Sequence, residues 1–241
     1  MKNACYIYEL KALRNCNVSV FTKKPLYEIH VKPESGQSLE QMAVIAKRYG
    51  YAGMIVTTDA CKPERTDAMP SDFLLYHSAE LNAQSATQVR KKAQLLHGKT
   101  DCIILRGGSE TVNRAGVENR LIDILSSPGN INHVLAKLAS NNNVAIEFDL
   151  GAIIHTEGSE RCRVLSVYRN NLKLVRKYNV PFGITTTPIS CYDFRAPREM
   201  AALAMLFGMK REEAVYAMSV VPRQIIEQRS PNFITAGVKL V

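Results

Sequence analysis

Glu147 and Asp149 lie two apart in a largely apolar run, so a strand there would aim both carboxylates to the same side. With Glu28 and Asp59 they could gather into a carboxylate cluster of the kind that holds magnesium. The competing reading pairs these acids with Arg106 or Lys137 inside a barrel mouth. Carboxylates outside any motif seldom prove catalytic, which favours the ion pairs. The histidines at 30, 77, 97, 133 and 155 are isolated from one another. No Ser-His-Asp order, Cys-His pair or phosphate-cradling glycine loop can be assembled. The residues therefore predict no catalytic group in this chain.

The basic residues carry more. Arg195 and Arg198 flank Pro197 in YDFRAPRE, where a loop passes into the first turn of a helix. Two guanidinium groups beside free backbone N–H groups suit phosphate oxygens. A cation at that end opposes the helix dipole, so Glu199 nearby or a bound anion must favour Arg198. His133 and Lys137, four apart, share one face of the helix beginning near Ile131, while Ile131, Val134, Leu135, Leu138 and Ala139 form its expected buried stripe. Arg161, Arg163, Arg169, Lys173, Arg176 and Lys177 crowd a long helix, with Arg169 and Arg176 outside its inward stripe. Arg106, Arg114 and Arg120 border neighbouring strands. Each has a bland alternative: a solvated helix face, Arg120 neutralising Asp123, or Arg106 as an ion-pair partner at a barrel mouth. Aromatic supply is modest, with no tryptophan, which points to recognition of RNA backbone and shape rather than base stacking.

The elements that must hold these groups alternate. A strand over Tyr27 to Val31 leads to a helix capped by Ser38 with Gln41 at its third position, running to Tyr49, and a strand from Met54 to Thr57. The spacing then predicts strands over Phe73 to Tyr76, Cys102 to Leu105, Leu121 to Leu125, Val144 to Asp149 and Phe182 to Thr185. Helices fall over Ala86 to Leu96, Glu110 to Val117, Ile131 to Ser140, Ser159 to Tyr178 and Pro197 to Phe207, with two more over Lys210 to Ala217 and Pro222 to Gln228. Tyr6 to Leu10 and Val18 to Phe21 could be short strands in an amino-terminal extension, residues 1 to 24, of unassigned role. Residues 25 to 230 read as one α/β domain and 231 to 241 as a tail. Alternation of this length without a dinucleotide-binding turn favours a parallel TIM-like barrel.

The 241 residues carry 31 lysines and arginines against 22 aspartates and glutamates, a net charge of +9. Such an excess suits a polyanionic partner, nucleic acid before membrane. Six scattered cysteines form no Cys-x-x-Cys pair, which argues against zinc ribbons and disulfide frameworks. No apolar run reaches the roughly 20 residues of a membrane helix, and Glu9, Lys11 and Arg14 break up any leader-like segment. A cytoplasmic protein with no membrane contact is expected.

INHVLAKLASNNNVAIEFDL, followed by NNLKLVRKYNVPFGITTTP and YDFRAPREMAALAMLFGM, resembles the archaeal protein component 3 family of ribonuclease P, counterpart of the eukaryotic 30-kilodalton subunits, from about Tyr27 to about Arg229. The resemblance implies a TIM-like barrel related to the polymerase and histidinol phosphatase (PHP) metallohydrolases. It also implies a cofactor protein that pairs with component 2 and other subunits to support the catalytic RNA. That RNA, with its own magnesium, removes the 5′ leader from precursor tRNA; this chain would bind no cofactor. His133 and Lys137 in HVLAKL and Arg195 and Arg198 in FRAPR match positions expected to contact RNA or partner. Two features depart from the family: a basic loop before HVLAKL is replaced by Ser126 to Asn130, and an arginine after the EF-x-L strand by Gly151. A PHP-like hydrolase needs a histidine-rich metal cluster opening with His-x-His. Glu28-x-His30 looks like its remnant, and leaves a metal-dependent phosphoesterase as the alternative.

Overall fold

Alternation of short β-branched runs with amphipathic segments yields seven parallel strands whose side chains divide between a helix-covered outer face and a barrel interior. The computed structural model describes residues 24–58 and 66–229, with the backbone of two short strands beyond them. The possible amino-terminal strands and Asp59 lie outside the described residues, as do residues 60–65. In order come β1 (Tyr27–Val31), α1 (Leu39–Arg48), β2 (Gly53–Thr57), β3 (Leu74–Leu81), α2 (Ala86–Leu96), β4 (Cys102–Arg106), α3 (Glu110–Glu118) and β5 (Ile124–Ser126). Then follow α4 (His133–Asn142), β6 (Ala145–Asp149), α5 (Gly151–Ile154), α6 (Gly158–Tyr178), β7 (Phe182–Thr185), a 3-10 turn (Cys191–Asp193), α7 (Pro197–Met205) and α8 (Arg211–Arg229). The strands pair in sequence order from β1 to β7. β7 returns to β1 without a hydrogen-bonded ladder, and α8 packs against both. The expected TIM-like barrel is thus nearly closed.

Outward residues such as Met54, Val56, Ile103, Leu105, Ile146 and Phe148 join the helices in the main core. Inward residues Ile55, Cys102, Ile104, Ile124 and Ala145 meet Tyr216, Val220, Val221 and Ile225 of α8 in a second cluster, which fills the barrel floor. The helix starts follow local chemistry. Ser38 Oγ accepts from Gln41 N at 3.2 Å, and Asn132 Oδ1 accepts from Leu135 N at 2.9 Å, each satisfying an orphan amide. Asn143 ends α4 in the left-handed region at φ 59°, as the asparagine run predicts.

Four expectations change. α4 buries Leu135, Ala136 and Ala139, whereas Val134 is exposed beside His133 and Lys137. β3 runs on to Leu81, because His77, Ser78 and Glu80, which look like a break in an apolar strand, face or border a polar barrel mouth. β5 begins only at Ile124, since Ile122 N closes a turn on Asn119 O at 3.0 Å. Finally, the two helices expected after Lys210 are one, with Pro222 inside it. A mid-helix proline costs about 3 kcal/mol, but Met218, Val220, Val221 and Ile225 around it are buried, each contributing about 1.5–3 kcal/mol.

Candidate nucleic-acid interface

The interior near the strands' carboxyl ends is polar and largely paired internally, with Glu28 Oε2 and His30 Nε2 left over. His30 Nδ1 meets Glu147 Oε2 at 2.9 Å, both nearly fully buried. The Ser126 hydroxyl donates to Glu147 Oε1 at 2.5 Å. The Thr185 hydroxyl donates to Glu28 Oε1, and Thr57 and Ser78 hydroxyls meet at 2.7 Å. Asp149 Oδ1 accepts from Gly151 N at 2.8 Å. The expected pairing of Glu147 with Arg106 or Lys137 therefore gives way to His30: Lys137 is exposed on the outer helix α4, and Arg106 reaches Glu80 instead, at 3.5 Å. Lys32 also donates to that buried carboxylate.

Burial pushes the Glu28 carboxyl up to about 8, against the hydrogen bonds from Thr185 and Ile29. Burial and the Glu147 charge raise Asp149 to about 6. For His30, burial pulls the imidazole down, but the Glu147 carboxylate outweighs it and the net shift is upward. Burial also raises Glu80, yet Lys32, His30 and Arg106 bring it below the ordinary carboxylate value. Each acid is neutralised or committed to a neighbour. Among the described residues no three His, Cys, Asp or Glu side chains gather as metal ligands. His30 is tied through Nδ1 and Glu28 through Oε1, whereas His30 Nε2 and Glu28 Oε2 are buried without a hydrogen-bond partner among the described residues.

The basic candidates divide by barrel end. In a parallel barrel, strand ends and helix starts share one rim, and helix ends lie at the other. Arg106 ends β4, Arg195 and Arg198 follow β7, and His133 opens α4, so these four belong to the mouth. Lys137 lies one turn further along α4. Lys32, just after β1, and Arg161 and Arg163 in the first turns of α6 join the same end; the signal for Lys32, which sequence reasoning misses, is its place immediately after a strand. Arg120, following α3, and Arg176, in the last turn of α6, lie at the floor. Arg169 is midway along α6, 3.5 Å from Leu206 O.

Several candidates have internal partners. Arg176 grips Glu213 through Nε at 2.9 Å and Nη2 at 2.7 Å, and donates to Gly208 O at 2.7 Å. Arg120 reaches Asn142 Oδ1 at 3.4 Å, while Asp123 is neutralised by Arg229 at 2.8 Å. Glu199 Oε2 accepts from Ala196 N at 2.9 Å, capping α7. This leaves Arg198 exposed at a helix start with no ion pair among the described residues. His133 and Lys137 are likewise exposed.

Beside Arg106, a polar cleft of about 620 Å³ opens between the β3–α2 and β4–α3 connections, lined by Asn82, Gln84, Gln88, Lys92 and Gly107 among others. The short Ser126 to Asn130 loop is pinned by buried asparagines: Asn113 Nδ2 donates to Pro128 O at 2.9 Å and Asn171 Nδ2 to Gly129 O at 2.7 Å. At Gly151, an added Cβ would lie 2.5 Å from Thr186 O, so the backbone leaves no room for the arginine the family pattern implies. No helix is long and apolar enough to cross a membrane among the described residues.

The sequence model for RNase P subunit p30 matches residues 25–231. Ribonuclease P protein component 3 of Methanococcoides burtonii is 37% identical over 221 residues, 88% of this chain and 91% of that one. The Methanosarcina mazei protein of the same name is 34% identical over 223 residues, 88% and 93% of the two chains. Among solved structures, a chain in the cryo-EM structure of archaeal ribonuclease P with mature tRNA superposes with a TM-score of 0.74 at 27% identity, covering 89% of this chain and 98% of that one. Aspergillus niger ochratoxinase, TM-score 0.61 at 8% identity over 90% and 75% of the chains, shares the fold alone.

Proposed function

The chain belongs to the RNase P subunit p30 family and is a protein subunit of ribonuclease P, and we propose that it binds and braces the catalytic RNA rather than cutting the substrate itself. Component 2 and the other protein subunits share that task in the cytoplasm. The holoenzyme's substrate is precursor tRNA, and the RNA supplies the magnesium-dependent chemistry. The observation that carries this reading is the contrast at the barrel mouth. Its acids are buried and paired with His30, Thr185, Lys32 or backbone amides, while Arg106, Arg198 and His133 remain exposed at the same end. Arginines on a rim suit phosphate oxygens, and every neutralised phosphate releases counterions. By lowering RNA self-repulsion, such contacts reduce the magnesium needed to hold the active RNA fold.

The test is precursor-tRNA cleavage by the RNA and component 2, with and without this protein, across a magnesium titration. The protein should lower the magnesium requirement, and Arg195→Ala with Arg198→Ala should raise it again. Unchanged cleavage with and without the protein at every magnesium concentration would refute the bracing role.

A further inference from the structure

The loop between β7 and α7 presents an aromatic ring to water in an unusually fixed frame. Tyr192 is 89% exposed. One side-chain oxygen of Asp193, Oδ2, accepts from Ile189 N at 3.1 Å, Ser190 N at 2.8 Å and Ser190 Oγ at 2.8 Å. The Thr186 hydroxyl donates to Asp193 O at 3.1 Å, and Pro188 O and Ile189 O accept from Lys32 N and Glu34 N beside β1. Phe194, 1% exposed, anchors the far side. Arg195 Nη1 folds back to Tyr192 O at 2.7 Å and Phe194 O at 2.8 Å. The buried Tyr51 hydroxyl donates to Arg195 O at 3.0 Å. The cost of ordering this loop's backbone on binding has largely been met during folding.

Resting on the RNA-subunit reading, we propose that Tyr192 is a stacking platform for an unpaired nucleobase of RNA, with the adjoining phosphates held by Arg195 and Arg198. The chemistry of the surroundings favours RNA over a protein pocket. Arg195 keeps further N–H donors beyond the two bonds that fix it, and Arg198 has no ion pair among the described residues. The two nearby acids are spent, Asp193 inside its loop and Glu199 on the α7 cap. An exposed π-face beside positive charge is the combination that binds single-stranded nucleic acid. It also amends the expectation from composition, because one exposed tyrosine on a fixed backbone suffices for one base.

The experiment uses the full chain and a short unstructured oligoribonucleotide carrying 2-aminopurine, whose fluorescence is quenched on stacking. Wild type and Tyr192→Phe should quench and bind alike. Tyr192→Leu should lose the quench and bind about 5- to 100-fold more weakly with an unchanged salt slope, whereas Arg198→Ala should reduce that slope by about 0.7. The reconstituted particle is then irradiated, and the strand crosslinked to Tyr192 is mapped, which separates the catalytic RNA from precursor tRNA as the source of the base. Equal binding and quenching by Tyr192→Leu, or weakened binding of component 2 with RNA binding intact, would overturn the proposal. Both of those leave wild-type support of the RNA's cleavage in place, so they are distinguishable from failure of the subunit reading itself.

Discussion

Replacing Glu28 by glutamine should make the barrel more stable at alkaline pH and remove a large part of its pH dependence. Glu28 is buried on β1, and its carboxyl is raised from 4.5 to about 8, chiefly by burial. The folded state therefore binds a proton that the unfolded state has already released. Stability from this group is complete below about pH 4.5, is lost as pH rises through about 8, and is level above that. A shift of that size corresponds to about 5 kcal/mol at most. Between pH 6 and pH 9 the loss amounts to about 3 kcal/mol, or about 6–12 °C in Tm for a domain of this size. Glutamine resembles the protonated acid in shape and has no proton to lose.

The assay is urea unfolding of wild type and Glu28→Gln at pH 6, 7, 8 and 9. Asp149, raised to about 6, and His30, raised from its ordinary value, titrate in the same window. Both remain in both proteins, so the difference between the two curves isolates Glu28. That difference should move by about 3 kcal/mol in favour of the variant as pH rises. Parallel curves from pH 6 to 9 would mean that Glu28 titrates as an ordinary carboxyl and that the mouth interior is wetter than its burial implies.

Arg229→Ala should cost about 3–5 kcal/mol, because it strips Asp123, 6% exposed, of a guanidinium that also holds Leu121 O; urea unfolding checks it, and Arg229→Met with Asp123→Asn should recover part of the loss. Arg176→Ala should cost about 1–2 kcal/mol of stability through its half-exposed grip on Glu213 yet leave the salt slope of RNA binding unchanged, the reverse of Arg198→Ala. Gly151→Ala should lose about 1–3 kcal/mol in the same unfolding assay, since its Cβ would collide with Thr186 O.

Much of the fold was legible because strand period and helix period differ along this chain: Ala86 to Leu96 and Tyr27 to Val31 were read to the residue. The failures share a cause. β3 looked short because its inward residues are polar, and α8 looked broken because Pro222 is a local signal opposed by a buried environment. Pairing was not legible at all. Glu147 was read against Arg106 and Lys137, but the residue that meets it, His30, lies 117 positions away. Asp123 finds Arg229 across 106. Only the closure of the barrel brings such residues together.

The division of the basic residues, by contrast, was recoverable from sequence in principle. A parallel barrel fixes which rim each connection occupies as soon as strands and helices are known. Arg120 just past a helix and Arg176 in a helix's last turn must then lie opposite Arg106, Arg195 and His133. The element order already contains that constraint. The same constraint places Lys32, one residue past β1, at the mouth with a buried partner in Glu80. Of the mouth cations considered, Arg163 and Arg198 are exposed with no ion pair among the described residues, so polyanion contact should be sought there before the floor.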